Sequence, residues 1–291
     1  MADWSDGYWS SADGLRLHYR DYPGREDRPP ILCIPGLTRN ARDFEGVAER
    51  LAGEWRVICV DLRGRGESQY ARDPATYVPL TYLNDVEALI AELGLSRFIA
   101  FGTSLGGLVT MLLAATNSER IAGALINDIG PVIDTSGLER IRGYVGRSQS
   151  WPTWLHAARY FSEMLSDVYP RWKLDQWLVF AKRVCRLTAA GRITFDYDMR
   201  IAEPFRQPGG DTGFDLWPVF NSLSGIPTLV VHGEISDLLG AETVEAMKSA
   251  NPALESVTVP AVGHAPTLDE PEAIEAIDRL LARIAGSKER P

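Results

Sequence analysis

Short apolar runs recur along the first half and near the end of the chain, and helical patterns separate them. The runs are Ile31–Ile34, 56–60, 98–101, 124–126, 228–231 and 256–259. Continuous apolar runs of this length are typical of strands that are buried on both faces of a parallel sheet. The alternation of strand and helix therefore predicts an α/β fold with a mostly parallel central sheet flanked by helices.

The flanking segments refine this picture. Leu83, Val86 and Ile90 recur at spacings of three and four, which predicts a helix with one buried face. Near the N-terminus Leu15 and Leu17 lie two residues apart, and this period of two predicts antiparallel strands that lead into the sheet.

Between residues 131 and 222 the strand signal disappears and helical patterns replace it, as in Trp154, Ala158 and Phe161. We therefore expect one core domain formed by 1–130 and 223–291, with 131–222 inserted as a helical cap. The stretch 203–217 is rich in Pro and Gly, which favours an irregular return path to the core.

Composition narrows the function classes. The chain has 291 residues and a formal net charge of -9, which argues against nucleic acid as a partner because such proteins concentrate Lys and Arg. No apolar run approaches the roughly 18 residues of a membrane span, and the N-terminus is acidic, so we expect a cytoplasmic protein with no membrane association. A small-molecule substrate follows, and a monomer and a homodimer are both compatible with the sequence.

The clearest chemical signal is a serine between two glycines, in Gly102-Thr103-Ser104-Leu105-Gly106. It lies between a predicted strand and a predicted helix. Small neighbours allow a sharp turn there, and such a turn pushes the serine hydroxyl outward. Ser104 is therefore the candidate nucleophile.

A serine hydroxyl needs a base, and the chain has four histidines. His264 follows the last strand-like run, at the carboxyl end of the sheet where sites of this architecture gather. The histidine in turn needs an acid. Asp237, after the run 228–231, is the preferred candidate, and Asp128, after the run 124–126, is the alternative.

On the basis of Ser104, His264 and the candidate acids, the chain resembles the α/β-hydrolase superfamily, in the branch that carries a helical cap. The resemblance covers almost the whole chain outside the cap, and it includes the order Ser, Asp, His and the loop 61–68, which reads DLRGRGES. It implies an oxyanion hole formed by the backbone N–H groups of Leu37 and Leu105. The loop 61–68 is expected to mark the fold without taking part in the reaction.

The resemblance implies a serine hydrolase that cleaves a carboxylic ester or lactone through an acyl-enzyme intermediate. Related epoxide hydrolases and haloalkane dehalogenases use aspartate where this chain has Ser104, so both activities are disfavoured. A carbon–carbon bond hydrolase of ring-cleavage products is the alternative enzyme, although Ala265 and Pro266 follow His264 where such relatives usually have tryptophan. A hydrolase-like ligand-binding protein with little turnover is the alternative outside the enzymes.

Substrate contacts are expected in the cap, where large side chains could reach the pocket. The candidates there are Trp151, Trp154, Trp177 and Arg159. No metal-ligand cluster and no cofactor fingerprint accompanies the serine, so neither a metal nor a cofactor is expected.

Overall fold

The computed structural model describes residues 3–206 and 215–286, and a twisted eight-stranded sheet lies at its centre. The strands, in chain order, are β1 (Ser5–Ser10), β2 (Arg16–Tyr22), β3 (Ile31–Ile34), β4 (Val57–Asp61), β5 (Phe98–Thr103), β6 (Ile121–Asn127), β7 (Ser150–Trp151), β8 (Cys185–Leu187), β9 (Ile193–Phe195), β10 (Thr228–Gly233) and β11 (Leu254–Val259). The central sheet has the order β1-β2-β4-β3-β5-β6-β10-β11. In this sheet order, every pair of neighbouring strands from β4 through β3, β5, β6 and β10 to β11 is parallel. In contrast, β2 runs antiparallel to both β1 and β4. The predicted fold class and the antiparallel entry are confirmed.

Helices cover both faces of this sheet. They are α1 (Glu45–Leu51), α2 (Pro79–Glu92), α3 (Leu105–Asn117), α4 (Thr135–Tyr144), α5 (Trp154–Met164), α6 (Leu174–Val184), α7 (Ala202–Arg206), α8 (Trp217–Asn221), α9 (Ala241–Ala250) and α10 (Pro271–Gly286). The five strands β3, β4, β5, β6 and β10 are buried at every residue, which explains why their sequences are mostly apolar. No helix within residues 3–206 and 215–286 is both long and apolar enough to cross a lipid bilayer.

Among its described residues, the segment between β6 and β10 carries the helices α4 to α8, and α5 confirms the helical pattern of Trp154, Ala158 and Phe161. It also contains a small antiparallel sheet in the order β7-β9-β8, which the sequence prediction of a purely helical cap missed. These strands are only two or three residues long, too short for a period-two pattern to be recognised.

The prediction that the stretch 203–217 is irregular is wrong at its start, where α7 extends to Arg206, because Pro204 lies in the first turn of the helix, where proline is tolerated. Of the predicted irregular return path, residues 207–214 lie outside the described residues. The division into 1–130 with 223–291 and 131–222 stays a prediction.

A buried histidine joins the first two strands to the last residue of β4. His18 is 1% exposed; its Nδ1 lies 2.7 Å from Oδ2 of Asp61, and its Nε2 lies 2.6 Å from Oδ1 of Asp6. Burial favours the neutral imidazole, but the two carboxylates outweigh it and raise the pKa of His18 above the ordinary value of 6.5. A protonated ring, which donates from both nitrogens, satisfies both acceptors.

This arrangement predicts a pH-dependent contribution to stability. A histidine whose pKa is higher in the folded than in the unfolded state contributes fully below 6.5, and the contribution is lost as the pH rises through the folded pKa. The free energy of unfolding in urea should therefore differ more between wild type and His18→Gln at about pH 6 than at about pH 8.5. A difference that is the same at both pH values would show that His18 does not gain charge on folding.

Candidate active site

Ser104 lies at the sharp turn between β5 and α3. Its backbone has φ 52° and ψ -116°, a strained conformation for a residue with a side chain. The turn is tight because a Cβ on Gly102 would lie 2.2 Å from the carbonyl oxygen of Gly106, and a Cβ on Gly106 would lie 1.9 Å from that of Ile34. Only glycine fits at these two positions, which is the physical reason for the Gly-x-Ser-x-Gly pattern.

His264 lies in the loop after β11, and its Nε2 is 2.8 Å from Oγ of Ser104. Hydrogen bonds on both sides of His264 hold this loop. The N–H of Gly263 donates to the carbonyl of Val168 at 2.7 Å, Tyr169 donates to the carbonyl of Ala265 at 2.7 Å, and the Asn127 amide donates to the carbonyl of Pro266 at 2.8 Å. The imidazole is 8% exposed, so its position is set by the protein and not by solvent.

The acid beside His264 is Asp128, which directly follows β6. Its Oδ2 lies 2.8 Å from Nδ1 of His264, and the carboxylate is fully buried. The hydroxyl of Ser236 donates to the same Oδ2 at 2.6 Å, and the N–H of Gly233 donates to Oδ1 at 2.7 Å. These donors fix the carboxylate against the imidazole and compensate for the loss of water. Ser104, His264 and Asp128 thus form a continuous hydrogen-bonded series.

The prediction that Asp237 is the partner of His264 is wrong. The loop after β10 turns so that Ser236 faces the Asp128 carboxylate, while Asp237 points toward the cap. There Asp237 forms a bidentate ion pair with Arg140 of α4, with Nε–Oδ2 at 2.5 Å and Nη2–Oδ1 at 2.8 Å. Burial works against ionisation, but Arg140 lowers the pKa of Asp237 below its usual value.

The backbone donors that the family resemblance implies are Leu37 and Leu105. Leu105 is the first residue of α3, so its N–H has no acceptor within the helix. The loop that contains Leu37 passes close to Ser104, since a Cβ on Gly36 would lie 3.7 Å from Cβ of Ser104. The nearness of both backbone segments to Ser104 is compatible with an oxyanion site, and that role stays a prediction.

Arg65 fixes the same loop, and sequence reasoning missed it. This fully buried side chain donates to the carbonyl of Leu37 from Nε at 2.9 Å and from Nη2 at 2.7 Å. The sequence prediction gives the loop 61–68 a role in the fold only. Nothing in the sequence indicates which carbonyl Arg65 reaches, because the burial of its side chain and its acceptor are properties of the folded structure.

A cavity of about 100 Å³ opens beside Ser104 and His264. Most of its wall is apolar and comes from the segment between β6 and β10, and the aromatic side chains in it are Tyr144, Phe161, Tyr169, Phe180, Phe195 and Tyr197. The cavity is small compared with the roughly 300 Å³ or more of typical drug-sized sites. It suits a short substrate.

The predicted cap contacts lie elsewhere. None of Trp151, Trp154, Trp177 and Arg159 is among the described residues that line the cavity. Trp151 packs edge-on against Phe195, and Trp177 packs edge-on against Phe180, so both support the aromatic wall from behind. Trp154 is half-buried, and Arg159 is exposed on α5. Within residues 3–206 and 215–286 no three His, Cys, Asp or Glu side chains are grouped in a way that could hold a metal ion.

Comparison with known proteins defines the class. A model of the alpha/beta hydrolase family matches residues 31–277, and the chain therefore belongs to this family. It is 35% identical to a 3-hydroxybutyrate-oligomer hydrolase of Cupriavidus necator, over 89% of this chain and 90% of the relative. A 2-(acetamidomethylene)succinate hydrolase of Mesorhizobium japonicum is 26% identical over 81% of each chain. Hydrolase activity is supported by these relatives.

Among solved structures, the chain is similar to an alpha/beta hydrolase from Novosphingobium aromaticivorans. The identity is 60%, the TM-score is 0.94, and the match covers 97% of this chain and 99% of the other.

Proposed function

We propose that the protein is a serine hydrolase that cleaves a short carboxylic ester through an acyl-enzyme intermediate. The observation that carries the proposal is the series of two 2.8 Å contacts, from Oγ of Ser104 to His264 and from His264 to Asp128. A serine, a base within hydrogen-bonding distance and an acid that orients the base are the parts that nucleophilic acyl transfer requires.

In the first half of the reaction, Oγ of Ser104 bonds to the carbonyl carbon while Nε2 of His264 accepts its proton. The oxyanion of the tetrahedral intermediate accepts hydrogen bonds from the N–H groups of Leu37 and Leu105. His264 then passes its proton to the leaving alkoxide, the C–O bond breaks, and the alcohol departs. Asp128 keeps Nδ1 protonated throughout and stabilises the imidazolium.

In the second half, His264 accepts a proton from water as the water oxygen attacks the acyl carbon. Collapse of the second tetrahedral intermediate returns the proton to Oγ of Ser104 and releases the acid. Arg65 supports both halves indirectly, because its two hydrogen bonds to the Leu37 carbonyl hold the loop that carries one oxyanion donor.

The substrate we propose is an ester with a short acyl group. The cavity of about 100 Å³ leaves little room for a long chain, and its apolar wall suits methyl and methylene groups. The relative from Cupriavidus necator is named for hydrolysis of 3-hydroxybutyrate oligomers, whose ester units are of this size. The linear dimer of 3-hydroxybutyrate is therefore the first substrate to test.

The experiment combines active-site labelling with a substrate panel. We expect a fluorophosphonate probe to label the folded protein at Ser104, as located by mass spectrometry of the labelled peptide. Turnover is expected for p-nitrophenyl acetate and the 3-hydroxybutyrate dimer, and not for dienoic diketo acids. Folded protein that takes no label and hydrolyses no ester would contradict the proposal and favour a ligand-binding role. Cleavage of the diketo acids alone would favour carbon–carbon bond hydrolysis.

A further inference from the structure

Two arginine side chains, Arg39 and Arg140, lie in the wall of the cavity. Each forms an ion pair with an aspartate, Arg39 with Asp43 and Arg140 with Asp237. The rest of the wall is mostly apolar. Charged groups beside an apolar cavity are costly to desolvate, and the two aspartates offset part of that cost.

Both guanidiniums are held rigidly. Asp237 binds Nε and Nη2 of Arg140, and Asp43 contacts Nε and Nη2 of Arg39 at 3.2 and 3.1 Å. Because each aspartate engages the same edge of its arginine, the Nη1 groups are not used by these pairs. A guanidinium that is already oriented loses less conformational freedom when it binds a ligand.

The two arginines also line the same cavity, which Ser104 lines as well. Arg39 follows the Gly36–Leu37 segment beside Ser104, whereas Arg140 comes from the cap helix α4. Burial raises the pKa of the Tyr144 hydroxyl, and the positive charges of Arg140 and Arg39 both act on that hydroxyl in the opposite direction. Tyr144 lines the same cavity as both arginines.

We propose that Arg140 and Arg39 bind a free carboxylate of the substrate. This inference rests on the proposed ester hydrolysis and narrows its substrate class to short esters that carry a carboxylate a few bonds from the scissile ester. The small volume of the cavity sets that separation, since the group bound by the arginines and the carbon attacked by Ser104 share one space. A linear hydroxy-acid dimer has this arrangement.

The test compares one ester in two charge states. The 3-hydroxybutyrate dimer is assayed as the free acid and as its methyl ester, and the ratio of the two kcat/KM values is determined. Two double variants each remove a whole ion pair, so that no unpaired aspartate remains: Arg140→Met with Asp237→Asn, and Arg39→Met with Asp43→Asn. Arg171→Met, an exposed arginine in the cap, is the matched control.

In wild type the acid should be the better substrate. The ratio should fall roughly 10- to 100-fold in at least one double variant, mainly through KM of the acid, because hydrogen bonds to a charged group are lost. The control should keep the wild-type ratio. The inference would be overturned if the wild type preferred the methyl ester, or if both double variants kept the wild-type ratio of the two kcat/KM values. Either result would leave the proposed ester hydrolysis intact.

A second measurement needs no variant. With p-nitrophenyl acetate as the substrate of the wild-type protein, 3-hydroxybutyrate should inhibit competitively at a concentration at least about tenfold lower than its amide. Equal inhibition by acid and amide would count against a carboxylate site. If wild type hydrolyses none of these esters, the proposed function fails and the carboxylate site fails with it.

Discussion

Replacing Asp128 with asparagine is expected to lower kcat for a neutral ester such as p-nitrophenyl acetate by about 10⁴-fold. The asparagine amide keeps the size of the side chain but removes the charge that stabilises the imidazolium. It also presents an N–H₂ group to Nδ1 of His264, which favours the tautomer whose Nε2 carries the proton and cannot accept one from Ser104. Steady-state kinetics at saturating substrate measure the loss, and thermal unfolding verifies that the variant is folded.

Asp237→Asn is the matched control, since it makes the same chemical change at the acid that the sequence favoured. Its side chain is one-third exposed and contacts Arg140 instead of His264, so kcat for the neutral ester should fall by less than about tenfold. A larger loss in Asp237→Asn than in Asp128→Asn would mean that His264 is oriented by the other aspartate during turnover.

The two acids illustrate where sequence reasoning reaches its limit. Ser104 and His264 are predictable because each is tied to a local pattern, a Gly-x-Ser-x-Gly turn and a loop after a buried strand. Asp128 and Asp237 each follow a strand that ends at the same edge of the sheet. The choice between them depends on how the loop after β10 turns, and this turn places Ser236 against the Asp128 carboxylate. No periodicity in the sequence encodes that turn.

The cap shows the same limit on a larger scale. The spacing of Trp154, Ala158 and Phe161 predicts a helix, and α5 is found there. The pattern identifies an apolar face without indicating what covers it. Phe161 lines the cavity, whereas Trp154, which lies about two turns earlier on the same helix, does not. Which aromatic side chain reaches a substrate is decided by the packing of α5 and α6 on the small sheet β7-β9-β8, and that packing is a tertiary property.

The loop 61–68 adds a third case, in which a residue of the fold also acts on the site. Asp61 accepts hydrogen bonds from the backbone N–H groups of Ala41 and Glu67, while Arg65 holds the carbonyl of Leu37. Both side chains therefore brace the segment that leads from β3 past the nucleophile. A sequence motif can identify such a loop, but only coordinates reveal which carbonyl its arginine reaches.

Ser104→Ala is expected to abolish ester hydrolysis, with a loss of at least about 10⁵-fold in kcat, because among the described residues no other hydroxyl lies within hydrogen-bonding distance of His264. Alanine is as strained as serine at φ 52°, so the turn should be retained. The change removes one hydrogen bond to His264, which corresponds to roughly 1 kcal/mol of stability, and the protein should remain folded in urea titrations. The variant should also take up no fluorophosphonate.

Ser249→Ala is the control for this experiment. Ser249 is exposed on α9 and donates to the backbone carbonyl of Glu245, far in sequence from the nucleophile. It should keep wild-type turnover and full labelling, which shows that loss of a serine hydroxyl is harmless elsewhere. Residual activity in Ser104→Ala has to be tested with the fluorophosphonate, since a contaminating hydrolase would be inhibited by it. Turnover that resists the probe and stays within tenfold of wild type would mean that Ser104 is not the nucleophile, and that His264 activates water directly on the substrate.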